Sequence, residues 1–265
     1  SERTARRLTL CLLLAAALLL GAALWLNLRT GGGGYTLTTY AMGSYVQQTV
    51  YGSGREDAAQ AASSTVTELE NLISWRVEDS DTARLNQAAG TEFLEIDPQT
   101  WDILNTSLQV CQASGGAFDI TVAPLSLLWD ITGKNPRVPA QGEIDQALAL
   151  VDYRDILLDE ERGTVMLRRP GQKLDLGAIA KGYACAVAGQ VYRQQGVESA
   201  VLSIGGNVYT VGHQPGGKPF DIGVSAPVKD RTELLGTLHA DGMVISTSGA
   251  YERYFEVDGQ QIGRA

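Results

Sequence analysis

The sequence predicts an α+β fold, and three observations lead to this prediction. Apolar residues recur at helical spacing over 55–75, and a second helical pattern follows Asp97-Pro98, a typical helix start. Apolar and polar residues alternate over 35–52 and over most of the chain after residue 198, as in strands separated by glycine turns. Helices and strands do not alternate strictly, which favours helices packed on antiparallel sheet.

The individual elements follow from local signals. Acidic residues in the first turn support the helix at 55–75, and Gly115-Gly116 end the helix that begins at Asp97. The predicted order is one or two strands at 35–52, a helix at 55–75, a polar turn at 79–87, a helix at 97–113, a short helix at 143–151, a hairpin at 155–169, the end of a buried strand at 174–176, a helix from about Ala178, and strands up to a hairpin at Asp258-Gly259.

The first 30 residues are predicted to be separate from the globular part. Three arginines precede an uncharged apolar run at 8–26, which is long enough to span a bilayer. These arginines favour a cytoplasmic N-terminus. We therefore predict an N-terminal transmembrane anchor at 1–30, a glycine tether at 31–34 and an extracytoplasmic domain at 35–265. A cleaved signal peptide is the alternative, and it leads to the same location for the domain.

The composition argues against several functions. A net charge of −9 argues against binding to a nucleic-acid backbone, which requires a basic surface. Only two histidines are present, so an oxygen-ligated cation such as Mg²⁺ is favoured over a metal held by several histidines. Cys111 and Cys185 lie in helical patterns and are interpreted as buried core residues, although a disulfide between them stays open.

The stretch LDLGAIAKGYA, at 174–184, is one candidate for a binding site, although a glycine-rich turn before a helix is a weak signal by itself. A buried apolar segment turns into a helix at Gly177, and the first turn of a helix presents N–H groups that bind anions. Lys181 lies one turn into this helix and is positioned to reach a phosphate, while Asp175 offers a carboxylate. The alternative is structural: Asp175 caps the helix and Lys181 is solvated.

Three other stretches are further candidates. SIGGNV, at 203–208, is a second glycine turn, which by itself is more typical of a bend between strands. Phe118 and Asp119 follow a double glycine and suit a flat polar ring such as adenine, although a core Phe with a turn Asp is equally consistent. The segment 245–255 combines hydroxyls, tyrosines and an arginine, which bind phosphate or only cap turns.

Taken together in this order, the motifs resemble a known family. The segments AMGSYV, SWRVEDSDTARLN, SGGAFDITVAPL, KLDLGAIAKGYA, AVLSIGGNV and TSGAYERYF resemble the bacterial ApbE-type FAD:protein FMN transferases, over about residues 38–262. The resemblance implies a single flavin transferase domain that faces outward from a bacterial membrane. It also implies an enzyme that splits FAD with Mg²⁺ and attaches FMN to a Thr of an acceptor flavoprotein, such as a membrane redox-pump subunit.

The resemblance also implies roles for particular residues. Met42 and Trp75 would line the FAD pocket, Ala117, Phe118 and Asp119 would hold the adenosine side, Asp175 and Lys181 would contact the dinucleotide, and the Ala178 carbonyl would bind Mg²⁺. The family's catalytic histidine and remaining metal ligands are expected beyond Ala265, so we expect this chain to be truncated and impaired. A non-catalytic FAD-binding module and an FAD diphosphatase that releases FMN and AMP are the alternative functions.

Overall fold

The structure is a computed structural model that describes residues 33–227, 233–249 and 253–263. Its strands are β1 (Tyr35–Ala41), β2 (Ser44–Val50), β3 (Leu94–Glu95), β4 (Ile156–Asp159), β5 (Thr164–Leu167), β6 (Ser199–Ile204), β7 (Asn207–Gly212), β8 (Phe220–Ser225), β9 (Leu234–Ala240), β10 (Val244–Ser246), β11 (Tyr254–Val257) and β12 (Gln260–Gly263). Its helices are α1 (Arg55–Ile73), α2 (Asp81–Gln87), α3 (Pro98–Ala113), α4 (Ala123–Trp129), α5 (Gln141–Leu148) and α6 (Ala180–Gln194).

No helix within the described ranges has the length and apolar character needed to cross a membrane. The predicted anchor at 1–30 lies outside the described residues, as do Gly31 and Gly32 of the glycine tether. The mixed helix and antiparallel sheet predicted for the domain is confirmed.

The central layer is an antiparallel sheet of five strands in the order β1-β2-β6-β7-β10. Helices α1 and α6 cover one face of it and contact each other. The buried residues of α1 follow the predicted helical spacing, from Ala58 through Val66 to Ile73. Their small and branched side chains bring the helix close to the sheet, and the resulting core is continuous with α6.

Helix α6 approaches the sheet very closely at Gly189. A Cβ atom at this position would lie 2.6 Å from the ring of Tyr209 on β7, so any larger residue would push the helix away. One turn further along α6, the buried Tyr192 hydroxyl donates a hydrogen bond to Oε1 of Gln48 on β2, at 2.6 Å. These contacts determine how far the start of α6 projects toward the end of the sheet.

Three smaller sheets surround this core. The order β3-β5-β4 forms one of them, β8 and β9 form a hairpin, and β11 and β12 form a second hairpin. The β4–β5 turn and the β11–β12 turn at Asp258-Gly259 were both predicted, and both are present. Cys111 and Cys185 are buried and free, so the disulfide that the sequence left open is not formed.

Two local predictions were wrong. Residues 79–87 are not a turn, because α2 forms there with Ser80 as its N-cap, whose hydroxyl accepts a hydrogen bond from the Ala83 N–H at 3.0 Å. The buried segment that ends at 176 is not a regular strand, since a single parallel bridge joins Lys173 to Val122. Helix α6 begins at Ala180, two residues later than predicted, after a turn at 177–179.

Candidate functional site

Two tight hairpin turns meet at one end of the central sheet. Met42-Gly43 connects β1 to β2, and Gly205-Gly206 connects β6 to β7. All four residues have positive φ, between 51° and 91°, as a two-residue type I′ turn requires. Because β2 and β6 are antiparallel neighbours, the two turns lie side by side, and the Gly205 N–H donates a hydrogen bond to the Tyr45 carbonyl at 3.3 Å.

A cavity of about 370 Å³ opens beside these turns. Segments far apart in the chain form it: the β1–β2 turn, the first turn of α6, the β6–β7 turn, strand β8 and the region after β10. The residues that line it are Ser44, Lys181, Gly205, Gly206, Val208, Ile222, Gly223, Val224, Ser225, Ile245, Thr247, Gly249 and Arg253. One wall is therefore apolar, and the other carries hydroxyls, backbone groups and two cations, which suits an amphipathic ligand.

Two cations, Lys181 and Arg253, line this cavity, although the net charge of the chain is −9. Cations gathered on one cavity attract an anion, and the arginine side chain matches phosphate oxygens in particular. The cavity is therefore suited to a phosphate or diphosphate group.

Glycine at position 205 leaves the space that Lys181 occupies. A Cβ atom on Gly205 would lie 2.6 Å from Oγ of Ser44 and 3.1 Å from Cε of Lys181. The φ of 51° independently favours glycine here. The SIGGNV turn, which the sequence alone favoured as a bend between strands, is thus also part of the cavity wall.

The first turn of α6 is held by a hydrogen bond to a different helix. The Tyr183 hydroxyl donates to Oδ2 of Asp102 on α3, at 2.6 Å. Partial burial and this acceptor raise the pKa of Tyr183 well above its usual value, so the phenol stays protonated. Since Tyr183 follows Lys181 by two residues, this contact also orients the part of the helix from which Lys181 projects.

Met42 and Trp75 were predicted to line the FAD pocket, and neither lines this cavity. Met42 is half-buried in the β1–β2 turn with a φ of 55°, which is strained for a residue other than glycine. Trp75 is half-buried just after α1, and the Arg76 guanidinium lies 4.2 Å from the centroid of its ring. Their role in FAD binding stays a prediction.

The segment predicted to hold adenosine is organised by Asp119. Its carboxylate accepts hydrogen bonds from the Thr121 N–H at 2.8 Å, from the Thr121 hydroxyl at 2.6 Å and from the Tyr153 N–H at 2.9 Å. Ala117 is exposed and Phe118 is half-buried against the core. The carboxylate thus stabilises this loop, and its role toward a ligand stays a prediction.

The turn before α6 lies directly beside this loop. The Asp175 N–H donates to the Ile120 carbonyl at 2.8 Å, and Oδ1 of Asp175 accepts from the Gly177 N–H at 2.8 Å. Asp175 therefore stabilises the turn before α6 and does not cap the helix as the structural interpretation expected, since the N-cap residue is Ile179 and no side chain caps it. Ala178 is exposed within the same turn, so its carbonyl lies in a region that a ligand can approach.

A complete Mg²⁺ site is not formed by the described residues. No group of three His, Cys, Asp or Glu side chains lies close enough together to hold a metal within the described ranges. The predicted Ala178 carbonyl alone does not satisfy a cation that prefers six oxygen ligands. The described residues therefore do not form a complete Mg²⁺ site by themselves.

The sequence indicated some of the cavity residues and missed others. Lys181 was predicted individually, and Arg253 and Thr247 belong to the hydroxyl-rich segment that was a further candidate. Ser44 and the β8 residues Gly223 and Ser225 were missed, because an isolated small residue carries no signal. Only the pairing of the strands places them on one cavity.

The ApbE family model matches residues 42–264. The chain belongs to the ApbE family. A relative from Klebsiella pneumoniae named FAD:protein FMN transferase is 34% identical over 86% of this chain and 70% of its own length. A protein of the same name from Escherichia coli is 26% identical over 83% of this chain and 65% of its own. The chain thus spans about two thirds of the length of these relatives.

Solved structures of the ApbE family share the fold. The ApbE protein of Thermotoga maritima is 32% identical, and the match covers 87% of this chain and 75% of that protein, with a TM-score of 0.81. The flavinyl transferase ApbE of Pseudomonas stutzeri, in its apo form, is 28% identical over 87% of this chain and 72% of its own, with a TM-score of 0.76. The resemblance to ApbE-type flavin transferases stated from the motifs is confirmed.

Proposed function

We propose that the protein is an FAD:protein FMN transferase whose cavity at the end of the central sheet binds the FAD diphosphate. Membership of the ApbE family and relatives that carry this name support the activity. The observation that supports the placement is the pair of cations, Lys181 and Arg253, on one cavity that also offers hydroxyl and backbone groups. The apolar wall, with Val208, Ile222 and Ile245, suits the ring system of the same ligand.

The reaction exchanges one P–O bond for another. A hydroxyl oxygen of the acceptor protein forms a bond to the phosphorus on the FMN side. The bond from this phosphorus to the bridging oxygen breaks, AMP leaves with the bridging oxygen and its electron pair, and the hydroxyl proton passes to water. Lys181 and Arg253 hold the diphosphate and stabilise the negative charge on the leaving phosphate, while the two type I′ turns keep the cavity rigid.

The finer parts of the proposal concern the metal, the acceptor and the location. We propose dependence on Mg²⁺, which when bound neutralises phosphate oxygens; the exposed Ala178 turn next to Lys181 supports one contact to it. The acceptor is proposed to be a Thr of an extracytoplasmic flavoprotein, such as a membrane redox-pump subunit. The apolar run at 8–26 supports attachment to a bacterial membrane with the domain facing outward.

FAD binding and product analysis test the proposal. We would titrate the protein with FAD and compare Lys181→Gln and Arg253→Gln with Lys218→Gln, which removes an exposed charge outside the cavity. Each cavity variant should weaken binding about 10- to 100-fold, as expected for the loss of one charge-assisted hydrogen bond, and the control should change it less than twofold. Equal effects of all three variants would contradict the placement of the site.

The products distinguish the transferase from the two alternatives. Incubation with FAD, Mg²⁺ and an acceptor flavoprotein should give one AMP for each flavin attached to the acceptor, measured by in-gel fluorescence and chromatography. Free FMN and AMP without labelled protein would identify a diphosphatase. Saturable binding without AMP would identify a binding module, and removal of divalent ions with EDTA should abolish AMP release if the metal proposal is correct.

A further inference from the structure

Strand β1 presents an unpaired edge. Among the strands that the structure describes, β1 has a neighbour on one side only, which is β2. The residues that flank a two-residue hairpin turn exchange both hydrogen bonds, so Ala41 bonds to Ser44, and every second residue before it also faces β2. The N–H and C=O groups of Thr36, Thr38 and Tyr40 therefore point away from β2, along the outer edge.

Within the described residues, the sequence of this edge carries none of the features that usually prevent pairing with another chain. Lys, Pro, inward-pointing charges and bulges normally interrupt exposed edge strands. The hairpin β1–β2 spans residues 35–50 without a single charged residue or proline, and its register is regular over seven residue pairs. A regular, uncharged edge of this length can accept an additional strand.

Two large aromatic side chains stand at the end of this edge nearest the cavity. Tyr40 and Tyr45 are paired across the two strands, with 67% and 71% of their surface exposed, and their rings are T-shaped at 5.7 Å. They flank the Met42-Gly43 turn, and the Tyr45 carbonyl accepts the hydrogen bond from Gly205 in the cavity wall. Exposed tyrosines of this kind are enriched where proteins bind one another.

We propose that the acceptor polypeptide docks on the outer edge of β1. An extended segment of the acceptor adds to the sheet as a sixth strand, bonded to the edge-facing groups of Thr36, Thr38 and Tyr40. The tyrosine pair packs against a side chain of this segment near the turn. This inference rests on the proposed function, which requires a polypeptide hydroxyl to reach the FAD diphosphate.

The spacing of the strands indicates where the accepting hydroxyl lies. Neighbouring strands are separated by about 4.8 Å, so an added strand lies about 15 Å from β6 and its turn at Gly205. An extended chain advances about 3.3 Å per residue. The accepting residue is therefore expected about five residues beyond the paired segment, where the acceptor passes the β1–β2 turn and bends toward Lys181.

A transient partner fits this edge better than a permanent one. Three edge-facing residues and one aromatic pair offer few hydrogen bonds and little apolar area, which is typical of short-lived complexes. A transferase must release its labelled product after each turnover. We therefore assign this edge to the acceptor, and the experiment below distinguishes it from pairing of β1 with a second copy of the chain.

Thr38→Pro is the decisive variant, because it removes an edge-facing N–H and leaves the hydrogen bonds to β2 in place. Thr38→Val keeps the N–H and is the matched control. We would measure flavin transfer from FAD to a purified acceptor flavoprotein, and binding of a fluorescein-labelled 20-residue peptide around its accepting threonine. Tyr40→Ser with Tyr45→Ser forms a second, independent variant at the exposed end of the edge.

We expect KM for the acceptor to rise at least tenfold in Thr38→Pro and in the tyrosine double variant. In both variants, Kd for FAD should stay within twofold of wild type. Thr38→Val should change neither quantity by more than twofold. An unchanged KM in folded Thr38→Pro would overturn the docking site, and a shift from dimer to monomer in sedimentation with unchanged KM would assign the edge to self-association. Failure of the wild-type protein both to bind FAD and to label any acceptor would instead contradict the proposed function and remove the basis of this inference.

Discussion

Substitution of Gly205 by alanine tests the cavity most directly. The added Cβ atom would lie 2.6 Å from Oγ of Ser44, 2.9 Å from its Cβ and 3.1 Å from Cε of Lys181. Contacts to a Cβ below 3.0 Å require a shift, so the Ser44 side chain has to move, and Lys181, whose Cε lies only slightly farther away, is pushed aside by a few tenths of an ångström. The variant therefore moves the ammonium group without removing it.

Two separate costs follow from this change. A φ of 51° costs a residue with a side chain about 1–2 kcal/mol, because the left-handed region is disfavoured for L-residues. For a domain of this size, that destabilisation corresponds to a fall in Tm of about 2–8 °C. The shifts of Ser44 and Lys181 weaken the charge-assisted hydrogen bond to the diphosphate; its complete loss would correspond to about a 10- to 100-fold rise in Kd for FAD, which is the upper limit expected for this variant.

Gly163→Ala separates these two costs. Gly163 has a φ of 64° in the β4–β5 turn, and a Cβ there would meet no atom within 4 Å. Both variants should lower Tm by similar amounts in thermal unfolding followed by circular dichroism, whereas only Gly205→Ala should weaken FAD binding in a fluorescence titration. Equal FAD affinities in the two variants would refute the argument that Gly205 makes room for Lys181 in the binding cavity.

Three further predictions concern groups outside the cavity. Asp119→Asn should lower the free energy of unfolding by about 1–3 kcal/mol in urea titrations, because the amide cannot accept all of the hydrogen bonds now made, including that from the Tyr153 N–H. Tyr192→Phe should cost about 1–3 kcal/mol by the same measurement, since it leaves buried Gln48 without its donor, and a second change of Gln48 to Leu should recover part of this loss. Burial raises the pKa of the Cys185 thiol from 9.0 to about 12, so the unfolded chain loses this proton at a lower pH than the folded protein. The free energy of unfolding should therefore fall between pH 9 and 12, by up to about 1.4 kcal/mol per pH unit. The fall should be smaller in Cys185→Ala.

Each of these has an outcome that would contradict it. Unchanged stability of Asp119→Asn with weakened FAD binding would assign the carboxylate to the ligand and not to the loop. Equal stability of Tyr192→Phe and wild type would mean that Gln48 finds another partner. A pH dependence above 9 that is identical in Cys185→Ala would show that other groups, such as Tyr192, account for it.

The regular elements could be predicted from the sequence because their signals are local. The stripe of Ala62, Val66 and Leu69 identifies α1, and Asp97-Pro98 marks the start of α3. Helix α2 was missed for the opposite reason: most of its side chains are polar, and it is stabilised by a Ser80 cap and by the ion pair of Arg84 with Asp81 at 2.8 Å. A short helix that is stabilised by contacts at its ends shows almost no apolar periodicity in its sequence.

The roles of individual polar residues could be predicted only in part. Lys181 was identified because it lies one turn into a helix that follows a glycine turn, where it could reach a phosphate, although a solvated lysine was the alternative. The role of Asp119 could not be inferred, because its partner Tyr153 is 34 residues away and the contact is to a backbone N–H, which leaves no trace in the sequence. The resemblance to a family indicates which residues matter, and the geometry indicates whether they act on the ligand or on the loop that carries it.

The two turns that border the cavity have the same backbone geometry and different sequences. The β6–β7 turn uses Gly205-Gly206, whereas the β1–β2 turn places Met42 at a φ of 55°, where glycine or asparagine would avoid about 1–2 kcal/mol of strain. A half-buried methionine recovers part of this energy through its contact with the core. The remaining strain lies in the β1–β2 turn, next to the outer edge of β1, the exposed tyrosine pair and Ser44 of the cavity. Strained backbone is concentrated at sites of function, so this turn is the place where docking of the acceptor and binding of the diphosphate are expected to influence each other.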